Sequence, residues 1–304
     1  MPGFAGEEGL FAAPTAPATM RPMKNPGRAP VRLSVSIVLY DSSMELFRRT
    51  LCSLQHAARQ AHAAGCVGRV EVDVVDNSRD VQYRECVQQT LAKWPRSDFF
   101  QINYRALAEN RGFGAGHNHV IPALDSDFHL VLNPDVELAE TALSTGLESL
   151  RDADDTVLVS PRVTTGDGRR EYLCKRYPSV LVLLLRAFAP RVVRNVFHRR
   201  LDRYQMRDAC SGDRVVDVLL ASGCFMLLRT AALRAVGGFD ERYFLYFEDF
   251  DLSLRLGRQG RLLFNPAVQI IHHGGYAASK GLRHVRYFIA SGITFFRQHG
   301  WRWI

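Results

Sequence analysis

The chain has 304 residues, of which 47% are hydrophobic and 23% are charged, a balance that excludes a globally disordered protein. It is long enough for one large α/β domain or two small ones, and it has no apolar run of about 18 residues to form a transmembrane helix. The formal net charge of +8 indicates an anionic partner, such as a nucleotide, a phospholipid surface or a nucleic acid.

The N-terminal residues 1–30 are rich in alanine, proline and glycine and show no periodicity, so we expect a disordered tail. A secretory signal needs a basic stretch followed by an apolar run, and neither is present there. The six cysteines include no C-x-x-C pair, which argues against a disulfide framework or a zinc site and favours reduced thiols. Together these features predict a cytoplasmic protein.

From residue 31 onward the pattern alternates between strands and helices. Short apolar runs rich in β-branched residues predict strands over residues 34–40, 70–75, 99–103, 128–132 and 157–160. Helical spacing predicts a first helix after Ser42 and Glu45, which fit a capping box, and further helices over residues 81–91, 112–124 and 139–150. Repeated β-α units predict an α/β fold with a mostly parallel sheet and helices on both faces. Ligands of such sheets bind beyond the carboxyl ends of the strands.

Polar clusters stand at three of these predicted strand ends, around Tyr40, Asp76 and Asp135. Asp76 can accept a hydrogen bond from a base N–H, or it can simply start the next helix in an Asx turn. Asp135, in Asn133-Pro134-Asp135, suits a divalent cation that bridges a diphosphate, or an ordinary strand-to-loop turn. The residues alone leave both alternatives open at each position.

A glycine-rich segment, N-R-G-F-G-A-G-H-N, covers residues 110–118. Glycines let backbone N–H groups approach phosphates, but tight helix packing explains them equally well. The G-x-G-x-G spacing is not that of a dinucleotide fingerprint, and no Gly-Lys-Ser/Thr follows, so the segment is not a P-loop.

The second half of the chain contains a dense acidic motif, F-L-Y-F-E-D-F-D-L, at residues 244–252. Carboxylates among aromatic residues favour a perturbed pKa and a general base, although acids in the first turn of a helix also complement its dipole. Strands are predicted over residues 218–223, 224–228, 262–266 and 268–271. The H-H-G-G that follows offers a histidine as a further metal ligand or as a polar surface residue.

Residues 175–207 hold nine basic residues and one acid, interleaved with aliphatic and aromatic groups. This pattern fits a segment on an anionic membrane surface, where each basic residue contributes about 1 kcal/mol, or a solvated arginine-rich face. Nucleic-acid binding is not expected, because no helix-turn-helix, zinc-finger or RNA-recognition signature is present. Residues 281–304 predict a C-terminal helix ending in tryptophans, which suit a membrane interface or a contact between subunits.

In this order and spacing, the motifs resemble those of the inverting family 2 glycosyltransferases, and especially the bacterial rhamnosyltransferase-like members that build cell-surface polysaccharide. The resemblance runs from about residue 33 to about residue 275. Its carriers are S-I-V-L-Y (36–40), V-V-D-N-S (74–78), the glycine-rich segment (110–118), L-N-P-D (132–135), S-G-C-F-M-L-L-R (222–229), G-G-F-D-E-R-Y-F-L-Y-F-E-D-F-D-L (237–252) and H-H-G-G (272–275). It implies the GT-A (nucleotide-diphospho-sugar transferase) fold, with a Rossmann-like, mostly parallel central sheet.

The resemblance also implies a role for each matching residue. Tyr40 and Asp76 would hold a pyrimidine base, and Asp249 would be the catalytic base. Glu248 and Asp251 would shape acceptor binding and electrostatics. The residues that would contact the rest of the donor are Asn110, Arg111, Gly112, Gly114, Asn118 and Asn133. Asp135, together with His272 rather than His273, would bind Mg²⁺ or Mn²⁺, and Asn133 stands where the family's D-x-D motif has its first acid.

The implied organisation is a GT-A domain over residues 31–275 and a C-terminal helical segment over residues 276–304. Within the domain, residues 31–140 would be the nucleotide-binding half, and residues 141–275 the acceptor and catalytic half, with a basic insertion at residues 175–207.

The implied reaction moves a sugar, L-rhamnose from dTDP-rhamnose, onto a polyprenyl-diphosphate-linked or polysaccharide acceptor, as in lipopolysaccharide O-antigen synthesis, at the inner face of the plasma membrane. A UDP-galactose, UDP-galactofuranose or UDP-glucose donor, or a catalytically silent scaffold subunit, are the alternatives. The sequence leaves the oligomeric state open.

Overall fold

A computed structural model of the protein describes residues 28–274 and 281–304. The strands of these residues are β1 (Val31–Leu39), β2 (Val67–Asp76), β3 (Phe100–Ala106), β4 (Phe128–Leu132), β5 (Val136–Leu138), β6 (Thr156–Thr165), β7 (Arg170–Glu171), β8 (Val216–Asp217), β9 (Phe225–Arg229) and β10 (Arg261–His272). The helices are α1 (Met44–Ala63), α2 (Val81–Ala92), α3 (Phe113–Asn118), α4 (Ala142–Arg151), α5 (Val180–Phe188), α6 (Arg191–Val196), α7 (His198–Tyr204), α8 (Arg207–Cys210), α9 (Thr230–Ala235), α10 (Glu248–Leu256) and α11 (Leu282–His299). A 3₁₀ turn follows α3 at Ile121–Ala123.

The strands of the described residues make one sheet in the order β3-β2-β1-β4-β9-β6-β10-β5, with β7 paired to β6 and β8 to β10. β3, β2, β1 and β4 pair in parallel, as do β6 and β10, whereas β9 runs antiparallel between β4 and β6. The predicted α/β class is confirmed, and β9 makes the second half of the sheet mixed. The carboxyl ends of β1, β2 and β4 meet at one edge, which is where such sheets bind ligands.

β1 is central and covered on both sides: its last seven residues are all buried, including Ser34 and Ser36, whose hydroxyls are hydrogen-bonded to His129 and His117. α1 packs on the sheet with the face predicted from its spacing, and the four apolar positions from Phe47 to Ala58 are fully buried. The helix cap is Ser43, whose Oγ accepts a hydrogen bond from the Leu46 N–H at 3.4 Å. The predicted cap, Ser42, is therefore wrong by one residue.

The helix expected over residues 112–124 is shorter than predicted. α3 ends at Asn118, because glycines are weak helix formers and Pro122 lacks the N–H that a continuing α-helix needs. The glycine-rich segment is therefore three loop residues, 110–112, followed by a helix of six residues.

Two strand predictions near the acidic motif are also corrected. The strand expected over residues 218–223 is wrong: β8 ends at Asp217, and within 218–223 Leu220 forms only an isolated bridge to Lys175. The two strands expected over residues 262–271 are the single strand β10, with a register shift between Asn265 and Gln269. A run of apolar residues does not by itself show whether a polar interruption ends a strand or only shifts its register. The sequence therefore predicts two strands over residues 262–271 where the structure has one.

β5 is absent from the sequence prediction because three residues carry too little periodicity to indicate a strand. It pairs antiparallel with the end of β10, in a register that sets Val136 opposite His272 and Leu138 opposite Ile270. This register brings Asp135, which precedes β5, beside His272. β5 also delays the start of α4 to Ala142, later than the predicted residue 139.

The basic insertion forms the short helices α5, α6 and α7, which bury a small apolar cluster that includes Leu185 and Tyr204. α11 packs on the turn before α10 through an aromatic cluster that includes Phe247 and Phe295. The predicted C-terminal helix ends at His299, and residues 300–304 continue without helical structure.

Within the described ranges, no helix has the length and apolarity needed to cross a bilayer. Residues 1–27 of the predicted tail and residues 275–280 lie outside these ranges.

Candidate active site

A cleft of about 690 Å³ opens at the carboxyl ends of β1, β2 and β4. The predicted site residues that line it are Tyr40, Asn110, Gly112, Asn133 and Asp135. The other predicted site residues lie off its wall: Asp76, Arg111, Gly114, Asn118, Glu248, Asp249, Asp251 and His272. The cleft thus collects residues of the strand-end clusters as expected, and the remaining predicted residues lie at neighbouring positions or within the protein.

Asp76 ends β2 and is fully buried. Its two carboxylate oxygens accept hydrogen bonds from the Ser78 N–H and from the Tyr104 hydroxyl, both at 2.8 Å. Burial and the bond to Asp76 raise the pKa of Tyr104, so the phenol remains a donor. A carboxylate offers about four lone-pair sites, so Asp76 is held rigidly and keeps acceptor capacity for a further group.

The first part of the glycine-rich segment lies close to the acidic motif. The Asn110 side chain accepts a hydrogen bond from the Gly112 N–H at 2.9 Å, and Gly112 has a φ of +102°. A Cβ at Gly112 would lie 2.1 Å from the carbonyl oxygen of Phe244. Glycine is required here both for the backbone conformation and for this close approach.

The later part of the segment contacts protein. Gly114 packs against the Phe239 ring, and the Asn118 side chain bonds to both the N–H and the carbonyl of Phe239 at 2.8 Å. Arg111 is exposed and pairs with Glu241 at 2.7 Å. Tight packing, the alternative to ligand contact, accounts for Gly114 and Asn118, and their contact with a donor stays a prediction.

Asp135 and His272 lie side by side, with 3.7 Å between Asp135 Oδ1 and His272 Nε2. That Asp135 oxygen is buried and has no hydrogen-bond partner among the described residues. A buried carboxylate oxygen is costly unless a ligand satisfies it, so the pair fits a divalent cation. In the described ranges, no group of three or more His, Cys, Asp or Glu side chains is arranged to hold a metal. A cation here would therefore complete its shell with diphosphate and water oxygens, as Mg²⁺ does in nucleotide sites.

Glu171 on β7 orients the histidine of this pair. The His272 Nδ1–H donates to Glu171 Oε2 at 3.1 Å, which leaves Nε2 facing Asp135. A carboxylate behind a histidine fixes its tautomer and ring orientation beside a metal. His273 instead bonds to Glu137 at 2.5 Å. The structure therefore brings the side chain of His272, and not that of His273, to the Asp135 carboxylate, while the His273 backbone N–H donates to the Asp135 carbonyl at 2.9 Å.

Asp249 lies in the first turn of α10 and is connected to the β4 end by the backbone of residues 222–224. The Gly223 N–H donates to Asp249 Oδ2 at 3.0 Å, and the Asn133 N–H donates to the Cys224 carbonyl at 2.9 Å. A Cβ at Gly223 would meet Phe113, which lines the cleft, at 3.1 Å and Asp249 at 3.5 Å. Asp249 thus lies immediately beside the cleft, one short backbone segment from the Asp135–His272 pair.

The two neighbouring acids of the motif, Glu248 and Asp249, both have raised pKa values. Burial, and then the charge of Asp249, raise the pKa of Glu248 well above its usual range. Burial raises the pKa of Asp249 to about 6, although the Gly223 and Phe250 N–H groups and the charge of Lys175 lower it. A carboxylate that ionises just below neutral pH suits a general base.

The turn before α10 is strained and is held by α11. Tyr246 and Phe247 have φ values of +72° and +68°, in the left-handed region that aromatic residues rarely adopt. Ser291 Oγ donates to the Leu245 carbonyl at 2.8 Å, and the Tyr246 hydroxyl is hydrogen-bonded to His284 at 3.0 Å. The packing of α11 therefore sets the backbone from which Asp249 projects.

Asp251 is fully buried and ties α10 to α11. Its carboxylate accepts hydrogen bonds from Arg255 Nε and His299 Nε2, each at 2.8 Å. These contacts lie within the protein, and the predicted part of Asp251 in acceptor binding stays a prediction.

Sequence reasoning misses residues that join the site from distant parts of the chain. α11 adds Arg283, His284 and Tyr287 to the cleft wall, although its spacing indicates only an amphipathic helix. Lys175 is buried, donates from Nζ to the Tyr172 carbonyl and interacts electrostatically with Asp249. Burial and the charge of Arg186 lower the pKa of Lys175 to about 7. Neither Lys175 nor Glu171 carries a local signal, because each meets the site only through tertiary packing.

Comparison with known proteins gives two curated bacterial relatives. Over 187 residues the chain is 29% identical to the N-acetylglucosaminyl-diphospho-decaprenol L-rhamnosyltransferase of Mycobacterium tuberculosis, covering 56% of this chain and 58% of that protein. Over 175 residues it is 31% identical to the rhamnosyltransferase WbbL of Escherichia coli, covering 53% and 61%. The chain thus spans about three fifths of the length of these relatives.

Two solved structures share the architecture. The mannosyltransferase PcManGT from Pyrobaculum calidifontis, in complex with GDP-Man and Mn²⁺, superposes with a TM-score of 0.59 at 16% identity, over 93% of this chain and 68% of that one. S. aureus TarS superposes with a TM-score of 0.51 at 16% identity, over 88% and 73%. At this identity the likeness shows the fold alone.

The sequence also matches the profile of a protein family. Residues 34–236, about two thirds of the chain, match the profile of Glycosyl transferase family 2. This range contains the glycine-rich segment, the Asn133-Pro134-Asp135 turn and the segment that bonds to Asp249. The sheet, the strand-end cleft and this match agree, and the chain belongs to Glycosyl transferase family 2 and has the GT-A fold.

Proposed function

We propose that this protein is an inverting glycosyltransferase that moves L-rhamnose from dTDP-rhamnose onto a polyprenyl-diphosphate-linked saccharide in cell-surface polysaccharide synthesis. One observation carries the proposal: Asp249, with its raised pKa, lies one short backbone segment from Asn133 and the Asp135–His272 pair, beside the same cleft. The names of both curated relatives, which are rhamnosyltransferases, support the sugar, and the decaprenol in one name supports the lipid-linked acceptor.

Asp249 is the general base of the proposed reaction. Its carboxylate accepts the proton of the acceptor hydroxyl as that oxygen attacks the anomeric carbon, opposite the leaving nucleoside diphosphate. The bond to the diphosphate breaks as the glycosidic bond forms, so a single displacement inverts the configuration. The nearby charge of Lys175 favours the ionised form of Asp249 before the proton arrives. Glu248 and Asp251 belong to the same proposal as residues that shape the acceptor side.

Asp135 and His272 are the residues that would hold Mg²⁺ or Mn²⁺, and the PcManGT complex, which contains Mn²⁺, is consistent with such a site. A bound cation would neutralise charge that develops on the diphosphate. Glu171 orients His272 through its hydrogen bond, and Asp135 Oδ1 would gain the partner it lacks. Asn133 replaces one acid of the motif, so the site has one negative charge fewer.

The donor lies along the β1–β2 side of the cleft in this proposal. Tyr40, which is 51% exposed at the cleft, and Asp76 hold the pyrimidine base. Asn110 and Gly112 face the ribose and diphosphate. Asn133 lines the cleft as well and completes the donor side. The other donor residues of the proposal, which support this wall from behind or from its rim, are Arg111, Gly114 and Asn118.

The proposal places the reaction at the inner face of the plasma membrane, where a polyprenyl-linked acceptor is anchored. Residues 31–140 bind the donor, and residues 141–275 bind the acceptor and supply the base. The insertion at residues 175–207, with nine basic residues against one acid, meets anionic lipid.

A transfer assay tests the reaction and the donor together. The protein is given Mn²⁺, a polyprenyl-diphosphate-linked N-acetylglucosamine and, in separate reactions, dTDP-rhamnose, UDP-galactose, UDP-glucose or GDP-mannose. We expect product from dTDP-rhamnose, with inverted configuration at the anomeric carbon by NMR and no product in EDTA. Product from a UDP-hexose instead would reassign the donor. Donor binding without product from any donor would favour the scaffold alternative.

We expect kcat/KM to rise with pH and to level off above about pH 6. Asp249 must be ionised to accept a proton, and its pKa is raised to about 6, so the inactive protonated form predominates below that pH. Initial rates from about pH 5 to pH 8 measure this, with calorimetric donor binding at each pH to separate chemistry from binding. A flat rate profile across this range, with constant donor binding, would contradict the assignment.

A further inference from the structure

The first helical turns of α11 line the cleft, and an exposed apolar line starts from the same place. Val285, Ile289 and Ile293 are exposed at a spacing of four residues, which puts them on one side of the helix. Phe296, three residues further on, continues this side and is buried. The helix therefore carries apolar surface from the mouth of the cleft toward the C-terminal segment.

The C-terminal tryptophans extend this line. The ring of Trp301 stacks on Phe296 with 5.1 Å between centroids, and Trp303 stacks on Trp301 at 5.2 Å. Both indole rings remain exposed, by 46% and 64% of the residue surface. The stacking holds them in place, so their exposure is a property of the fold and not of a loose chain end.

The C-terminal segment is joined to the basic insertion by backbone hydrogen bonds. The Val180 N–H donates to the Arg302 carbonyl at 2.8 Å, and the Leu181 N–H donates to the Trp303 carbonyl at 3.1 Å. These bonds use N–H groups of the first turn of α5, which have no partner within the helix. The structure thus joins two features that are far apart in the sequence.

The insertion continues the apolar surface and adds positive charge. Leu184 and Phe188 are exposed one turn apart on α5, and Val192 and Val196 are exposed one turn apart on α6. The arginines between and after them, all exposed, are Arg191, Arg194 and Arg199. None of these three forms a salt bridge with another residue of the described ranges, where the ion pairs of the insertion involve Arg176 and Arg207.

An anionic lipid bilayer fits this combination. Exposed aliphatic side chains are stabilised when they insert below the lipid headgroups, and arginines are stabilised by the anionic headgroups themselves. Tryptophans are stabilised at the interface between the headgroups and the hydrocarbon. A second copy of the chain would bring the same arginines face to face and would be repelled. A nucleic acid would leave the aliphatic side chains in water.

We propose that α5, α6, the α11 line from Val285 to Ile293 and residues 301–304 form one docking surface, the interfacial face, which binds an anionic membrane surface beside the cleft. This inference rests on the proposed function, in which the acceptor is anchored in that membrane. The basic insertion is then one part of a larger surface, and the tryptophans are its deepest members.

The tryptophans provide the test, because the chain has three and only Trp94 lies outside the interfacial face. In the Trp94→Phe variant, we expect the emission of Trp301 and Trp303 to shift to shorter wavelength with vesicles containing phosphatidylglycerol. Pure phosphatidylcholine vesicles should give a much smaller shift. Brominated lipid should quench this emission, whereas unchanged emission with both vesicle types would overturn the proposal.

Matched variants test whether vesicle binding depends on the interfacial face or on exposed charged and apolar residues in general. We expect R191S/R194S/R199S to weaken vesicle partitioning about a hundredfold, since each arginine contributes about fivefold. R59S/R96S/R258S removes three exposed arginines elsewhere and should have little effect.

L184S/F188S should weaken partitioning strongly, whereas Val81→Ser, at a residue 65% exposed on α2, should not. Equal partitioning by test and control variants would overturn the proposal, as would self-association that depends on Leu184 and Phe188 in sedimentation velocity.

The failure of this inference is distinguishable from failure of the proposed function. Transfer to a short, water-soluble acceptor analogue without vesicle binding would overturn the interfacial face and leave the reaction intact. Vesicle binding without transfer to any acceptor would support the face and contradict the reaction.

Discussion

Replacing Asp249 with asparagine is expected to lower kcat by about a thousandfold and to leave the donor Kd within about twofold of the wild-type value. Asparagine keeps the shape of the side chain and can still accept the Gly223 N–H, but it cannot take a proton from the acceptor hydroxyl. Stopped transfer assays give kcat, and calorimetry with donor and Mn²⁺ gives Kd. Transfer within tenfold of the wild-type rate would exclude Asp249 as the base.

Asp251→Asn is the matched control on the same helix. Asp251 is paired with Arg255 and His299 inside the protein, so this change should lower the free energy of unfolding by about 3 kcal/mol. Thermal unfolding measures that loss. The contrast between the two variants separates the proton transfer proposed for Asp249 from the part of Asp251, which holds α10 against α11 and thereby shapes the acceptor side.

Replacing Asp135 with alanine is expected to remove the metal dependence of donor binding. With Mn²⁺ present, the donor affinity should fall by about a hundredfold, to the value that the wild-type protein shows in EDTA, because the bridge between diphosphate and protein is lost. Calorimetric titration of the donor with Mn²⁺ and with EDTA measures both values for each protein. Equal stimulation by Mn²⁺ in the variant and the wild type would show that the cation binds elsewhere.

Glu137→Gln is the control for this experiment. Glu137 also bonds to a histidine, His273, and to Arg49, but it lies off the cleft wall. Its replacement should leave the Mn²⁺ effect on donor affinity intact. A loss of the Mn²⁺ effect in this variant would mean that the Asp135–His272 pair is not the cation site.

The sequence was sufficient to predict the α/β class and most of the strands and helices that form the cleft. β1, β2 and β4 each end in two or three consecutive buried aliphatic residues followed by a polar cluster, a pattern that predicts both a buried strand and its end. Tyr40, Asn133 and Asp135 consequently reach the cleft as expected, and Asn110 and Gly112 of the glycine-rich segment join them there.

The sequence could not separate residues that face a ligand from those that pack inside the protein. Gly114 and Asn118 belong to the same motif as Gly112, yet they contact Phe239, because a glycine or an amide near a short helix serves either purpose. Asp251 has the same side chain as Asp249 and a different environment, because it is fully buried against Arg255 and His299. The cleft residues of α11 are beyond local reasoning, since only tertiary packing brings that helix to the cleft.

The register between β5 and β10 has a consequence for how the protein can vary over evolution. Three residue pairs set Val136 opposite His272 and so place Asp135 beside it, and gaining or losing one residue within β5 would shift this register and move Asp135 away from His272. The insertion at residues 175–207 enters between other elements and leaves this ladder untouched. We therefore expect changes of length within the insertion beyond Lys175 to leave the Asp135–His272 pair in place, whereas a single-residue insertion or deletion between Val136 and Leu138 would separate it.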